Sequence, residues 1–307
     1  MDPTRRLPPK LVEHAKAFAN GSRTPVEPRN ASTVVLLREG ASRTAGAVEV
    51  YFLRRHVDMA FAAGMCVFPG GGVDPRDFAP DVARDVARDV DSEIAWVGPS
   101  PVEWAVLLGT DESVARALVC AAVRETFEES GVLFAGPTSD TIDEDTTGAD
   151  WEEDRRRLEA RELSFTDFLR QRELSLRTDL LRVWGSWVTP VFEPRRFRAW
   201  FFVADLPPGQ RTRDVSTESQ EVTWMSVRDA ITAVDQGEML MLPPTYCTCL
   251  ELYGATTPAE ALAAAEGRDC DPVEPVAEFD GDTAHLTIPD RLVALGNAVS
   301  SRIRDGR

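Results

Sequence analysis

Residues 111–131 most constrain the fold of this chain. Val114, Ala117, Leu118, Val119, Ala121, Ala122 and Val123 make a run that is apolar almost all round, as in a helix buried on every side. The run ends in Arg124-Glu125-Thr126-Phe127-Glu128-Glu129-Ser130-Gly131, with Gly131 expected just past the helix end. At roughly 100° per residue, Glu125, Glu128 and Glu129 fall on one patch of the helix. Their carboxylates oppose the negative end of the helix dipole and repel one another, unless a cation lies between them. A set of oxygen ligands alone suits a hard cation, Mg²⁺ or Mn²⁺. Taken by itself, such a run reads more readily as a solvated acidic face.

A second motif changes that balance. Gly64-Met65-Cys66-Val67-Phe68-Pro69-Gly70-Gly71-Gly72-Val73-Asp74 follows a strand-like run. Together, the FPGG loop and the RExxEExG helix end resemble the Nudix box of the Nudix hydrolase superfamily, G-x5-E-x7-R-E-U-x-E-E-x-G-U. Gly71 matches the first Gly, and Asp77 stands where the family has its first Glu. The family spacing would then put the Arg at position 85, whereas it is Arg124, so an insertion interrupts the box. Thr126 occupies the hydrophobic position after Arg-Glu. Counting back from Arg124 instead gives Thr110 and Arg116, a poorer match. A long insertion at this point resembles the branch of peroxisomal coenzyme A diphosphatases.

The resemblance implies an α/β fold, a Nudix-like α/β/α sandwich with a mixed sheet and inserted helical elements. It implies Glu125, Glu128 and Glu129 as ligands of Mg²⁺ or Mn²⁺ and as catalytic residues, with Gly70 and Gly71 shaping the loop that presents them. Arg124 is expected to orient the glutamates through salt bridges. A further ligand or general base often comes from a loop like Asp214–Gln220, where Glu218 and Glu221 are the candidates. Arg195 and Arg196, with Arg198, offer fork-shaped donors for diphosphate oxygens, although ordinary surface arginines fit the same pattern. The coenzyme A signature of one Nudix group has an Arg where this chain has Ala60, while GxxxFPGG is intact as Gly64–Gly71. The expected substrate is a small nucleotide-derived diphosphate, coenzyme A or an acyl-CoA before NADH or ADP-ribose. A non-catalytic binding module is the other reading.

The rest of the chain bounds this. Its 307 residues suffice for one large domain with insertions. A net charge of −17 works against binding a nucleic-acid strand, which needs a basic footprint. No run of ~18 apolar residues suggests a membrane span. The N-terminus lacks the apolar segment of a secretion signal, and the five cysteines are odd in number and without zinc spacing. These features point to the cytoplasm.

The expected organisation is a lead-in over 1–30, a Nudix domain over 31–290 with helical insertions at about 78–110 and 136–182, and a C-terminal helix over 291–307. Strands are expected at 31–39, 48–56, 182–190, 198–205 and 221–226. Val82, Val86 and Val90 predict a short amphipathic helix, packed on its own core or serving as a lid or homodimer surface.

Overall fold

The computed structural model describes residues 7, 9–58, 62–78 and 94–306. Ala60 and the 81–90 segment lie outside them. The first elements are α1 (Pro9–Ala19), β1 (Arg29–Arg38), β2 (Glu49–Arg55), β3 (Cys66–Val67) and β4 (Gly70–Gly72), followed by a 3-10 turn at Pro75–Asp77. Next come β5 (Trp96–Val97), α2 (Pro101–Leu108), α3 (Glu112–Ser130), β6 (Ala135–Gly136), α4 (Ala149–Glu159), α5 (Phe165–Gln171) and β7 (Ser175–Arg177). Then follow β8 (Arg182–Val188), β9 (Phe197–Asp205), β10 (Ser219–Ser226), α6 (Val227–Asp235), α7 (Pro243–Leu252) and α8 (Pro258–Ala264). The last elements are β11 (Pro272–Val273), β12 (Val276–Asp280), β13 (Thr283–Thr287) and α9 (Asp290–Arg304).

The main sheet has the order β10-β2-β1-β9-β8-β11, with β3 paired to β2 and β4 paired to β1. β1 runs parallel to β9 from Arg29↔Phe197 to Leu37↔Asp205, and antiparallel to β2 and β4. Because side chains alternate across a strand, β1 feeds two cores. Val34 and Leu36 join one apolar cluster, while Val35 and Leu37 join the other. Tyr51 and Leu53 of β2, and Trp200 and Phe202 of β9, extend the first; Val50, Phe52, Phe201 and Val203 extend the second. A strand covered on both faces reads as a continuous apolar run, which is why VVLL and FFVA carry so little polarity. Complete burial of each such side chain contributes about 1.5–3 kcal/mol.

The first core lies under α3, with residues of α2, α4, α5 and β7 joining it; residues of α6, α7, α8 and α9 cover the second. Local signals fix the helix ends. Ser226 Oγ accepts from Asp229 N at the start of α6, Thr257 does the same for α8 through Glu260 N, and Gly131 ends α3 with φ 74°. The lead-in carries α1, which has a small core of its own. Its Val12 and Ala15 pack with Leu7, Phe192 and Ala284.

Residues 174–181 depart from the helical reading. Ser175–Arg177 is a strand, in a three-stranded sheet of order β5-β7-β6. Only Leu176 of that triplet is fully buried, so the alternation is too short to announce a strand. Among the described residues no helix is long and apolar enough to cross a membrane.

Candidate active site

β4 is three glycines paired with β1, in the register Ala31↔Gly72, Ser32↔Gly71, Thr33↔Gly70. α3 crosses this part of the sheet closely, and Ser32 Oγ donates to the Leu118 carbonyl at 2.7 Å. Two of the glycines have no room for a side chain, Gly70 because of β1 and Gly71 because of α3. A Cβ on Gly70 would lie 2.4 Å from Ser32 O, at φ 157°, and one on Gly71 would lie 2.5 Å from the Glu125 carboxyl carbon. A Cβ on Gly72 would meet nothing within 4 Å.

The last turns of α3 project the glutamates against this strand. Gly70 N–H donates to Glu129 Oε2 at 2.8 Å. Arg124 Nη1 donates to Glu125 Oε1 at 2.8 Å and Glu128 Oε1 at 3.2 Å, and its Nη2 to Gly72 O at 3.1 Å. On its other side the guanidinium grips Asp77, Nε to Oδ1 and Nη2 to Oδ2, both at 2.9 Å. Asp77 is only 1% exposed, and it closes a capping box with Asp74 around the 3-10 turn. The two halves of the interrupted motif therefore meet in space, joined by side-chain and backbone bonds.

Three carboxyl groups share the Arg124 guanidinium and Glu129 is bonded only by an uncharged amide, so the site holds an excess of negative charge. Burial is the main cause of the raised Glu125 pKa, with Arg124 opposing it and Asp77 and Glu218 adding to it. Burial and then the Glu125 charge push Glu128 up to about 8. Burial, Glu125 and Glu218 hold Glu129 well above its usual value, against the Gly70 N–H. Burial alone would lower the Arg124 guanidinium, but Glu125, Asp77 and Glu128 outweigh it and leave it raised.

Glu218 lies beside this cluster, close enough for its charge to act on Glu125 and Glu129. Its Oε2 accepts from Arg55 Nη2 at 3.0 Å, and the side chain is 54% exposed. Glu221 instead faces Arg54 across β10 and β2 at 3.7 Å, and is more exposed.

Of the arginine segment, Arg196 makes its bonds away from the glutamates. Arg196 is buried, with Nε donating to Thr189 O, Nη1 to Val26 O and Nη2 to Glu274 Oε1. Each of its nitrogens already serves the packing of β9 against neighbouring chain. Arg195 is exposed, and Arg198 lies 4.6 Å over the Trp200 ring. Sequence reasoning missed Arg155, which donates from α4 to the Glu128 carbonyl at 2.7 Å. Trp151, Arg155 and Leu158 share one helical face, and the structure shows that face to be the covered one, against the solvated reading that the surrounding charges suggest.

Carboxylate oxygens dominate this site, and its charge imbalance and raised pKa values fit a hard cation chemically. As they stand, no three His, Cys, Asp or Glu side chains among the described residues converge closely enough to hold an ion. Bonds from Arg124 hold Glu125 and Glu128, while Gly70 N–H holds Glu129.

The model of the NUDT19 Nudix domain matches residues 28–252, most of the chain. The chain belongs to that Nudix family. Among its relatives, the acyl-coenzyme A diphosphatase NUDT19 of Gallus gallus is 27% identical over 227 residues, 64% of this chain and 59% of that protein. The protein of the same name from Xenopus laevis is 24% identical over 219 residues, 64% of this chain and 58% of that protein. This Nudix chain thus spans less than two thirds of the length of either relative. A crystal structure of a Nudix hydrolase from Alicyclobacillus acidocaldarius superposes with a TM-score of 0.63 at 26% identity, covering 78% of this chain and 96% of that one. The fold is the Nudix α/β fold.

Proposed function

We propose that this chain is a divalent-metal-dependent hydrolase that cleaves the diphosphate linkage of a small nucleotide-derived substrate, coenzyme A or an acyl-CoA before others. The observation that carries the reading is the packing of the Gly70–Gly72 strand against Glu125 and Glu129, with Glu128 joined to Glu125 through Arg124, in a family whose relatives include proteins named acyl-coenzyme A diphosphatase. Glu125, Glu128 and Glu129 are the residues that would hold Mg²⁺ or Mn²⁺. Such an ion, when bound, neutralises phosphate charge and lowers the pKa of a coordinated water.

The chain's own groups have distinct tasks in this reading. Asp77 fixes the Arg124 guanidinium, and Arg124 in turn orients the Glu125 and Glu128 carboxylates. The Gly70 amide orients Glu129. Glu218 is the proton acceptor for the attacking water. Its Oε2 is engaged by Arg55, so Oε1 is the oxygen that takes the proton. Arg196, whose nitrogens are engaged by Thr189, Val26 and Glu274, is left out of substrate binding, while the exposed Arg195 remains a candidate donor for diphosphate oxygens.

A panel of coenzyme A, an acyl-CoA, NADH and ADP-ribose, assayed with Mg²⁺ and with Mn²⁺, tests the proposal. Release of 3′,5′-ADP from coenzyme A faster than AMP from NADH or ADP-ribose supports it. The reverse order removes the coenzyme A assignment and keeps the hydrolase. Glu128→Gln and Glu129→Gln remove charge but not volume and should each cut turnover by about a hundredfold or more while the protein stays folded. Wild-type turnover in either variant would remove the assigned centre.

A further inference from the structure

Helix α4 belongs to an inserted segment, and its contacts join the two parts of the site that come from distant stretches of chain. Arg155 is 3% exposed. Its Nη1 donates to the carbonyl of Glu128 at 2.7 Å and to Glu159 Oε2 at 3.0 Å. Its Nε and Nη2 grip both oxygens of Glu152, at 3.0 and 2.9 Å. The Glu128 carbonyl is among the last four of α3, which have no partner inside the helix. A guanidinium there satisfies it and places positive charge at the negative end of the helix dipole, offsetting part of the cost of three glutamates on those turns.

The second oxygen of Glu159 reaches the other part of the site. Glu159 Oε1 accepts from Thr217 N at 3.1 Å and from Thr217 Oγ1 at 2.6 Å. Thr217 is the residue before Glu218. The same loop is tied down upstream, where Arg213 Nη1 donates to Glu152 Oε2 at 2.9 Å and Arg213 N donates to Ser130 O at 2.8 Å. One buried arginine thus holds two carboxylates, and each of those carboxylates holds the loop that carries Glu218.

We infer that α4 is a clamp: through Arg155 and Glu159 it fixes the Glu218 loop against the glutamate end of α3, and Arg155 and Glu159 are positioning residues for the reaction. The kinetic part of this rests on the hydrolase reading above; the structural part does not. Side chains placed through a loop lose effectiveness steeply with small displacements, so releasing the clamp should lower turnover and leave the glutamates themselves in place.

The test uses the whole chain. Glu159→Ala should speed amide exchange at Thr217 by about tenfold or more, because the bonded, ordered loop becomes locally free. It should leave Mn²⁺ affinity, measured by titration, close to wild type. Turnover on the best diphosphate substrate should fall about 10–100-fold with KM little changed. The double variant Glu159→Ala/Glu218→Gln should be no slower than Glu218→Gln alone, since the clamp acts through Glu218. Glu153→Ala removes the same charge from the exposed face of α4 and should keep wild-type exchange and turnover. Thr217→Val should reproduce the effects in smaller measure, and serves if Glu159→Ala does not fold. Wild-type exchange at Thr217 in both variants overturns the clamp, whatever the activity. Faster exchange with multiplicative losses in the double variant overturns its action through Glu218. A wild-type protein inactive on every substrate of the panel sinks the hydrolase reading instead, and the exchange result alone then decides the clamp.

Discussion

Asp77 and Arg124 meet through two parallel bonds of 2.9 Å although 47 positions separate them in the chain. The pair closes the interrupted motif from the side away from the glutamates. Asp77 is wholly buried and Arg124 nearly so, which makes the bidentate geometry strong and its loss expensive.

Asp77→Asn tests that closure. An amide can accept one of the two N–H bonds but presents its own N–H₂ to the other. The variant should lose about 1–3 kcal/mol of stability, read as a lower urea midpoint at unchanged slope. An unchanged midpoint would mean that Glu125 and Glu128 alone suffice to hold Arg124.

Gly71→Ala and Gly72→Ala differ by one methyl position and should behave differently. The first methyl collides with the Glu125 carboxyl, while the second enters open space. Gly71→Ala should depress turnover by displacing Glu125, and Gly72→Ala should stay near wild type. Equal activities would show that α3 can retreat from β4 without consequence.

Acid should act on the turn that carries Asp77. The Arg76 side chain beside Asp74 holds its carboxyl down at about 2, against an ordinary 3.8. A carboxyl lowered by folding stabilises the native state fully above its unfolded value, and that contribution is lost as pH falls through the folded one. Between pH 4 and 2 the wild type should therefore lose more stability than Asp74→Asn, measured by denaturant unfolding at each pH. Parallel losses in the two proteins would contradict the assignment.

Arg196→Met should separate a packing role from a substrate contact. Loss of bonds to Thr189, Val26 and Glu274 should cost about 1–3 kcal/mol and leave turnover per folded molecule unchanged. A stable variant with collapsed turnover would restore the diphosphate contact expected from the sequence.

Much of this architecture was legible because its signals are local. The apolar run from Val114 to Val123 announced a buried helix, Gly131 announced its end, and the strand runs at β1, β2, β9 and β10 had the length and composition of strands. What resisted reading depends on distant partners. Arg196 looks like a free donor beside Arg195 and Arg198, and only the fold reveals Val26 and Glu274 against it. Arg155 lies in a run of charges, Glu-Glu-Asp-Arg-Arg-Arg, whose natural reading is a solvated face. The triplet Ser175–Arg177 is too short for its alternation to speak, and its strand pairing comes from segments near residues 96 and 135.

The parallel pairing of β1 with β9 sets an order of events during synthesis. Val34, Val35, Leu36 and Leu37 leave the ribosome early, but the neighbour that completes their hydrogen bonding on one side begins only at Phe197. Until then β1 has an open edge and two unfinished apolar faces, the condition that invites pairing with other chains. The glutamate helix is made in the interval and has only a partial sheet to lie on. Every residue from Gly70 to Glu129 is thus translated before the strand that completes the sheet beside β1.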